Sequence, residues 1–442
     1  MWQSGRPHYR IQLVIAIVLG LGACGGGGSG GDPVGTDTTA GDCAGECADA
    51  GTYLTVADVQ TILAQGIAEA DALGVPATLA VADRVGNVLG VYRTEPQSVV
   101  LASELDADGN AVVSGGLEGI RLPVPGVPLT LDDQAAIAKA VTAAYLSTEG
   151  NDFTTRTASQ IVQDHFNPGE DNQPAGPLFG VQFSQLACSD FTLAFSGSAD
   201  AGPKRSPLGL SADPGGLPLY KGGTAVGGVG VITDGVYGLD KVVLDTDSST
   251  DELVATAATC DFAAPLDRRA DRITVEGKTL RFADVDFDDL SSNPAGAPAF
   301  DTLTAADGGL VSVTGYTDGI IRAGVAFGTP SSGVRPDDDV DFPGQDAFVF
   351  VDSLGQRRFA PRAAPDGGLT AAEVRTILAE ALAVAERARA QIRRPFGTRA
   401  RVTISVVDSS GEILGMVRSR DAPVFGADVS LQKPRTAALF SS

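Results

Sequence analysis

The chain has 442 residues, of which 43% are hydrophobic and 20% are charged, so it is long enough for two or three globular domains and is not a disordered tail. Its 55 acidic and 32 basic residues give a formal net charge of −23. Because phosphate groups would be repelled, this charge argues against any sequence-independent affinity for nucleic acid.

Residues 1–23 form a predicted signal peptide. Two arginines precede an apolar run from Ile11 to Ala23, which has the length of a signal-peptide core and is too short to span a membrane. The run ends in LGAC, which resembles the lipobox of bacterial lipoproteins and implies that Cys24 is lipidated and becomes the mature N-terminus. The alternative is an ordinary signal peptide followed by a chance cysteine. With Gly25 after the cysteine, the resemblance favours the outer membrane, with the protein at its periplasmic face or at the cell surface.

Residues 24–51 are polar and rich in glycine, which predicts a flexible tether between a membrane and the folded part. Export would place the four cysteines beyond the anchor in an oxidising space, where an even number suits two disulfides. Three pairings are possible; we favour Cys43 with Cys47, and Cys188 with Cys260, which would close a long loop. The sequence predicts no metal site, because His165 is the only histidine beyond the signal peptide and no CxxC pair occurs.

Two stretches of the chain match each other. LTVADVQTILAQGIAEADALG (Leu54–Gly74) aligns with LTAAEVRTILAEALAVAERAR (Leu369–Arg389), and each opens with a capping box, at Thr55 or at Thr370. Both stretches carry apolar residues at helical spacing, which predicts amphipathic helices. These residues are Val59, Ile62, Leu63 and Ile67 in the first stretch and Val374, Ile377, Leu378 and Leu382 in the second.

Each predicted helix is followed by two β runs joined by a tight turn, DRVGNVLGVYR (Asp83–Arg93) and DSSGEILGMVR (Asp408–Arg418). An aspartate at the entry and a glycine inside the turn predict a β-hairpin in which the glycine adopts a positive φ. We expect the closing arginine to leave the sheet at its solvent end. A shared K-x-x-T-A motif (Ala138–Tyr145 and Gln432–Leu439) predicts a second helix. We call these helix, hairpin, helix stretches the first segment (residues 54–145) and the second segment (residues 369–439).

Only the first segment continues into further predicted elements. After it we expect a polar loop, a strand, a hairpin that turns at Lys221–Gly223 and a closing helix from about Thr250. The second segment has no such continuation, so it is either a truncated product or borrows strands from a partner. The predicted domains are residues 52–261 and residues 369–442, the latter incomplete, with residues 262–368 as an irregular β connector packed on the first domain.

This order of elements resembles the GlcG/HbpS-like haem-binding proteins, which are related to the C-terminal domain of PduO-type proteins. The carriers are the opening helix and its Asp-Gly hairpin, the AIAKAVTAAY helix, the Gly-rich hairpin GLPLYKGGTAVGGVGVITDG and the DELVATAA helix. The resemblance covers most of residues 54–259 and recurs, incomplete, in residues 369–442. It implies an α/β (α+β) fold in which helices pack on an antiparallel sheet. It also implies a homo-oligomer and, as in several members, binding of haem or a related tetrapyrrole.

A haem site needs an axial ligand and an apolar pocket around the ring. Some relatives place their iron ligand in the opening helix, which has no histidine here, so His165 in QIVQDHFNPGED is the candidate ligand. A solvated loop histidine is the alternative. Thr142 and Tyr145 lie one helical turn apart on the K-x-x-T-A helix and are further candidates for cofactor binding, with core packing as the alternative.

The remaining motifs predict little chemistry. Gly222–Gly230 lacks both the Lys-Ser/Thr ending and the GxGxxG spacing of phosphate-binding loops, so we interpret its glycines as packing sites. Asp245–Glu252, Asp106–Asn110 and Asp337–Asp341 are weak calcium candidates, for which acidic turns or helix caps are the default interpretation. With a single mature histidine and no GxSxG motif, the sequence predicts no catalytic residues.

The sequence therefore predicts an extracytoplasmic lipoprotein that is held to a membrane by its lipid, binds haem or a related tetrapyrrole in a role of haem binding, sensing or storage, and is non-catalytic or weakly catalytic. A non-catalytic assembly or interaction lipoprotein with the same fold is the alternative hypothesis. A third hypothesis is an enzyme acting on a small organic acid, for which the sequence offers no residue set.

Overall fold

A computed structural model describes residues 52–113, 119–122, 130–186, 189–195 and 201–441. The signal peptide, the tether, the lipidation site Cys24 and the predicted Cys43–Cys47 disulfide lie outside the described residues. Cys260 is fully buried and disulfide-bonded. Its predicted partner, Cys188, also lies outside the described residues, so that pairing stays a prediction. None of the described helices is both long and apolar enough to cross a membrane.

The described helices are α1 (Val56–Leu73), α2 (Leu131–Leu146), α3 (Thr155–Val162), α4 (Asp190–Leu193), α5 (Thr250–Ala258), α6 (Ala371–Arg387) and α7 (Gly426–Phe440). The described strands are β1 (Thr78–Asp83), β2 (Val88–Arg93), β3 (Val99–Leu101), β4 (Arg121–Leu122), β5 (Gly216–Lys221), β6 (Thr224–Ile232), β7 (Val236–Tyr237), β8 (Thr274–Val275), β9 (Lys278–Thr279), β10 (Gly309–Leu310), β11 (Ser312–Val313), β12 (Thr317–Asp318), β13 (Val334–Pro336), β14 (Ala347–Phe350), β15 (Thr403–Val407) and β16 (Ile413–Ser419). The predicted α+β class, with helices packed on antiparallel sheets, is confirmed.

The first segment contributes to a five-stranded antiparallel sheet with the strand order β10-β2-β1-β6-β5. Strand β1 has a partner on both sides, because it pairs with β2 and, along all of its residues, with β6. Successive side chains of a strand point to opposite faces. Leu79 and Val81 therefore join a core with α1 and α5, whereas Ala80 and Ala82 pack against α2. Helices thus cover both faces of this sheet.

The Gly-rich stretch after Lys221 is structural, as the sequence indicates. Gly222 and Gly223 form the tight turn between β5 and β6, with φ angles of 55° and 74°, and both central residues of such a turn need a positive φ. A Cβ on Gly228 would lie 2.4 Å from a carbonyl oxygen of α2, and one on Gly230 would lie 2.2 Å from another. These glycines let α2 rest directly on β6, and all 16 residues of α2 are buried.

The second segment builds a four-stranded sheet with the order β13-β14-β16-β15. Two of these strands, β13 and β14, come from residues 262–368. The earlier part of that stretch packs on the first domain, where β10 pairs with β2 and Ala270, Ile273 and Leu280 share a core with α3.

Strand β14 adds a further strand to the hairpin of β15 and β16. The apolar face of α6 packs on this sheet, so Val374, Leu378 and Leu382 are fully buried. The segment thus takes two strands from its own chain, a source of strands that the sequence did not predict.

The hairpins of the two segments are alike in register and in hydrogen bonds. Each has a bulge at the corresponding position of its first strand. In each, the aspartate at the turn entry, Asp83 or Asp408, accepts hydrogen bonds from the backbone N–H groups two and four residues later. Gly86 and Gly411 adopt the predicted positive φ, at 82° and 87°. The predicted turn chemistry is therefore confirmed in both places.

The arginine that closes each hairpin does not lie at a solvent-exposed end, so that prediction is wrong. Arg93 forms ion pairs with Asp132, at 2.7 Å, and with Asp133, both at the start of α2. Arg418 is fully buried, and no described residue accepts a hydrogen bond from its Nε or Nη1. Alignment of the K-x-x-T-A motifs places Gly426 and Ala427 where the first segment has its two aspartates. The second segment has therefore lost the partners that hold the first arginine.

A buried carboxylate joins the two segments. Asp421 lies just after β16, with 1% of its side chain exposed, and it accepts a 2.5 Å hydrogen bond from Arg84 in the first hairpin turn. It is also paired with Arg393, and the backbone N–H of Glu149 donates to it at 3.1 Å. Burial alone would raise the pKa of Asp421, but Arg393 and Arg84 outweigh it and lower the pKa to about 2. The carboxylate is therefore charged at neutral pH.

Candidate functional site

An open cleft of about 420 Å³ lies beside the K-x-x-T-A helix of the first segment. Its walls are the residues around β3, the loops on either side of β7, and the start of α5. Ala102, Leu105, Val236 and Leu239 form the apolar part of the lining. The charged residues of the lining are Glu104, Arg156, Asp213, Asp234, Asp240, Asp247 and Asp251.

Lys139 lies fully buried behind this cleft. It projects from α2, and its ammonium group donates to the carbonyl oxygen of Val231 at 2.8 Å and pairs with Asp213 and Asp251, each at 2.5 Å. Burial alone would lower the pKa of Lys139, but these two carboxylates outweigh it and hold the pKa above its ordinary value. Asp251 also accepts from the backbone N–H of Thr233 at 2.7 Å. Lys139 is therefore a charged structural centre that ties α2 to β6 and α5.

Arg156 forms a second buried centre at the other side of the cleft. It projects from α3 with 1% of its side chain exposed, and its guanidinium makes two parallel 2.9 Å hydrogen bonds to Glu252 of α5. Its Nη1 pairs with Asp240 at 2.9 Å and with Asp284 at 3.0 Å. Such a two-pronged pairing fixes orientation as well as charge. Arg156 thus anchors α3 and the β7 loop to α5.

The field inside the cleft is negative, because its carboxylates outnumber the two cations. Desolvation by the cleft and the nearby charges of Asp251 and Asp213 both raise the pKa of Asp234; because its side chain is exposed to solvent, the neighbouring charges are the firmer cause. Burial also raises the pKa of Asp213, against the effect of Lys139. A cationic or hydrogen-bond-donating ligand would suit this field, and an anionic one would not.

No metal centre is evident in the part of the chain that the structure describes, where no three His, Cys, Asp or Glu side chains are placed to hold an ion. The acidic stretches that the sequence singled out have other partners. Asp106 accepts from the backbone N–H groups of Asp108 and Asn110, and Asp337 accepts from those of Asp341 and Phe342. These two stretches form acidic turns, the default interpretation from the sequence.

Thr142 and Tyr145, two of the predicted cofactor-binding residues, lie in the core. Both are fully buried. The Thr142 hydroxyl donates to the carbonyl oxygen of Ala138 at 2.7 Å and accepts from the backbone N–H of Ser211 at 2.7 Å. The Tyr145 hydroxyl lies 2.8 Å from the carbonyl oxygen of Val85 and 2.7 Å from that of Lys204. Neither side chain is open to a ligand in this structure, so a cofactor contact would require the core to rearrange.

His165, the third predicted cofactor-binding residue, lies at the surface. It follows α3, 45% of its side chain is exposed, and its Nδ1 is 3.9 Å from a carboxylate oxygen of Asp164. The next residue, Phe166, is fully buried, and its backbone N–H donates to the carbonyl oxygen of Pro174 at 2.8 Å. The ammonium group of Lys278 lies 5.7 Å from the centre of the Phe166 ring. The loop is thus anchored by its phenylalanine while the imidazole faces solvent.

The residues present fit a haem group only in part. An exposed imidazole is a suitable iron ligand, and His165 supplies one. The cleft beside α2 does not suit the ring, because its carboxylates would repel the two anionic propionates of haem. No hydrogen bond or ion pair between described residues brings His165 together with Thr142 or Tyr145. The three predicted residues therefore do not form one preformed pocket.

Comparison with known proteins adds little to this description. No family model matches the chain, and no curated protein is significantly similar to it. One solved structure, described as "Crystal Structure of PduOC:Heme Complex", has a TM-score of 0.27 at 16% identity and covers 48% of this chain and 96% of its own. Another, Klebsiella pneumoniae protein ORFY of family model DUF336, has a TM-score of 0.25 at 19% identity and covers 47% of this chain and 88% of its own. At such TM-scores the likeness carries no argument about the ligand.

Sequence reasoning missed most of the residues around the cleft. Asp213 and Asp234 stand in the short stretches ADPGG and TDG, where an aspartate next to glycine or proline is an ordinary turn residue, so nothing in the local sequence sets them apart. Lys139 and Glu252 did belong to recognised motifs, but only the three-dimensional arrangement shows that each is the buried member of an ion pair. Each of two fully buried helices carries one basic residue, Lys139 in α2 and Arg156 in α3. Because a buried cation needs a carboxylate partner, these two residues were the signal to follow.

Proposed function

We propose that the protein is a non-catalytic extracytoplasmic lipoprotein, anchored through Cys24, that binds haem or a related tetrapyrrole, with His165 as the residue that would hold its iron. The observation that carries the proposal is the exposed imidazole of His165, on a loop that Phe166 anchors in the core. The order of helices and hairpins, which matches the order in the family that the sequence resembles, supports it as well. A ligand in the opening helix, where some relatives place theirs, is not required, because a surface imidazole can bind a ligand that arrives from solution.

The chemistry that this chain supplies is binding and orientation. The imidazole of His165 would supply a nitrogen ligand to the iron, and a carboxylate oxygen of Asp164 lies 3.9 Å from its Nδ1. When bound, haem would supply its own redox and ligand chemistry.

The test is a hemin titration of the full chain carrying Cys24→Ser, which prevents lipidation. We expect a shifted Soret band that saturates at one equivalent, and we expect His165→Ala to weaken the affinity at least about tenfold, equivalent to about 1.4 kcal/mol. Asp171→Ala, at an exposed position of the same loop, is the matched control and should leave the titration unchanged. No Soret shift, with the circular dichroism spectrum intact, would contradict the proposal.

A second candidate function is assembly, in which the fold serves as an interaction module. One observation favours it: strand β15 of the second sheet has a paired neighbour on only one side, among the described residues. Light scattering on the full chain, with and without hemin, separates the two candidates. A discrete oligomer that forms without hemin supports assembly, whereas a monomer that binds hemin supports the first proposal alone.

A further inference from the structure

The connection between the opening helix and the hairpin is longer in the second segment than in the first. From Thr55 to Thr370 the offset is 315 residues, whereas from Asp83 to Asp408 it is 325. The ten extra residues lie between α6 and β15, in a stretch that we call the arginine loop (residues 388–402). This loop holds five arginines and no acidic residue, in a chain with a net charge of −23. The four residues between α1 and β1 of the first segment carry no charge.

Contacts with the first segment hold the arginine loop in place. Ile392 packs against the core that contains α3, and Arg393 is buried and paired with Asp421. The backbone N–H of Arg394 donates to the carbonyl oxygen of Gly150 at 2.7 Å. The other side chains of the loop therefore project from a fixed backbone.

Four arginines in or next to the loop have no carboxylate partner among the described residues. These are Arg387, Arg389, Arg394 and Arg399, whereas Arg401 of the same loop pairs with a carboxylate. Arg387, Arg389 and Arg399 are exposed. The hydrogen bonds of the Arg394 guanidinium go to backbone carbonyl oxygens, which do not neutralise its charge. A surface of uncompensated positive charge thus lies on a strongly acidic protein.

Two of these arginines lie directly opposite each other. Arg389 and Arg399 form an isolated antiparallel bridge. Its backbone hydrogen bonds, of 2.9 and 2.8 Å, flank the pair, which is the arrangement that brings opposite side chains closest. Like charges placed in this way destabilise the pairing. An anion between the two guanidinium groups would replace repulsion by attraction.

An exposed aromatic ring lies among the same arginines. Phe396 is 70% exposed, and its ring centre is 3.9 Å from the guanidinium of Arg394 and 5.8 Å from that of Arg389. These three residues, with Thr274 and Gln391, line an open hollow of about 490 Å³. Guanidinium groups bind phosphate through paired hydrogen bonds, and apolar side chains beside cations are typical of surfaces that lie on lipid headgroups.

We propose that the arginine loop docks on an anionic phospholipid surface, with Arg389, Arg394 and Arg399 on the phosphates and Phe396 between the headgroups. Charge complementarity favours this partner, because such a surface presents many phosphates side by side to cations that are themselves close together. The negative charge of the rest of the chain is screened beyond about 8 Å at physiological ionic strength, so the local charge dominates the contact. This inference rests on the proposed anchoring at Cys24, which would hold the protein at a membrane, and is independent of haem.

Vesicle sedimentation of the full chain carrying Cys24→Ser tests the docking in the absence of the covalent lipid. We expect binding to vesicles that contain phosphatidylglycerol and none to vesicles of phosphatidylcholine alone, and we expect added salt to weaken the binding. Arg389→Gln together with Arg399→Gln should weaken it at least about tenfold, since each arginine at such a surface contributes about a fivefold change in affinity. Phe396→Ser should weaken it as well.

The matched control is Arg322→Gln together with Arg362→Gln, which changes the net charge by the same amount. Arg322 pairs with Asp318 and Arg362 with Glu412, all of them exposed and outside the arginine loop. This control should bind the vesicles as the parent chain does.

Two results would overturn the docking. One is a parent chain that does not bind vesicles containing phosphatidylglycerol, and binding of heparin in that case would indicate a soluble polyanion as the partner instead. The other is an arginine double variant that binds as tightly as the parent, with an unchanged circular dichroism spectrum. An unmodified Cys24 in the natural protein would contradict the anchoring alone, and a failed hemin titration would contradict haem binding alone.

Discussion

The two segments share a backbone plan but use the same motif in opposite environments. In the K-x-x-T-A helix of the first segment, Lys139 and Thr142 are fully buried and hydrogen-bonded. At the aligned positions of the second segment, Lys433 and Thr436 are exposed. The difference arises because β5 and β6 cover the first helix and have no described counterpart over the second. A matching motif therefore predicts the element, whereas the strands that pack on it decide what its side chains can do.

The hairpins show the same contrast for charged side chains. Burial raises the pKa of Asp83, despite hydrogen bonds from Asn87 and the backbone. Burial acts in the same direction on Asp408, but hydrogen bonds from Ser410 and Glu412 outweigh it, and the pKa of Asp408 lies below its ordinary value. Two turns with the same hydrogen-bond pattern can thus hold carboxyl groups with opposite pKa shifts.

The largest expected effect comes from removing the carboxylate that joins the two segments. Asp421→Asn leaves Arg84 and Arg393 buried without their partner, so we expect the free energy of unfolding to fall by about 3–5 kcal/mol at pH 7. The pKa of Asp421 is lowered, so its contribution is present above pH 4 and is lost as the pH falls toward 2. Urea denaturation between pH 3 and pH 7 should show that the unfolding free energies of Asp421→Asn and of the parent chain approach each other at the acid end of this range.

An exposed ion pair between the same two parts of the chain provides the control. Asp190 pairs with Arg435 at 2.6 Å, and 55% of the Asp190 side chain is exposed. Asp190→Asn should cost less than about 1 kcal/mol, since solvent screens such pairs. Equal losses in the two variants would show that the Asp421 cluster is not the principal link between the segments.

Substitution of the two arginines that close the hairpins should change the free energy of unfolding in opposite directions. Arg93→Leu leaves Asp132 and Asp133 without their cation and should destabilise the protein by about 3 kcal/mol. Arg418→Leu removes a buried cation that lacks a carboxylate partner of the kind Arg93 has, so we expect a neutral effect or a gain of about 1–3 kcal/mol. Burial and the nearby charge of Arg84 lower the pKa of Arg418, which is consistent with a costly charge.

Thermal denaturation of both arginine variants, each compared with the parent chain, measures this difference. Phe327 and Phe350 lie 5.3 and 5.7 Å from the Arg418 guanidinium and would line the leucine in its place. A large loss on Arg418→Leu would mean that the contacts with these rings stabilise the cation more than its burial penalises it.

The smallest expected effect is the pH response of the two turn carboxylates. Asp83→Asn removes a group whose pKa is raised in the folded state, so the variant should gain stability relative to the parent as the pH rises through that pKa. Asp408→Asn removes a group whose pKa is lowered, so its loss of stability should be present above pH 4 and vanish in acid. Chemical denaturation from pH 3 to pH 8 gives, for each variant, the difference in unfolding free energy from the parent chain. These two differences should change with pH in opposite directions, and a change in the same direction would contradict the opposite pKa shifts of Asp83 and Asp408.

Local chemistry made much of the fold predictable. The capping boxes at Thr55 and Thr370, the Asp-Gly turns and the glycine pair at Gly222 each act within a few residues, and each element formed where the sequence predicted it. The strands of residues 262–368 could not be predicted in the same way. Strand β14 has four residues, and it is stabilised by pairing with β16, more than sixty residues later in the chain.

The site was harder to predict than the fold, because its residues come together only in three dimensions. Arg156 meets Glu252 and Asp284, which are 96 and 128 residues later in the chain. Tyr145 looked available for a ligand on helical spacing alone, but the turn at Gly86 brings the carbonyl oxygen of Val85 to its hydroxyl group, and the loop at Lys204 brings a second one. Helical spacing shows which side chains share one face of a helix. Only the elements that pack on that face determine whether it is accessible to a ligand.

The Asp421 cluster also sets an order of events as the chain is made. All five strands of the first sheet lie before residue 311, so that sheet can form while the second segment is still being synthesised. Until residue 421 follows, the guanidinium of Arg84 has a carboxylate of Glu149 at 3.9 Å as its closest charged partner. We expect the guanidinium of Arg84 to stay solvated until the part of the chain around Asp421 packs against it. The burial of this cation thus depends on a carboxylate that is made more than 300 residues later.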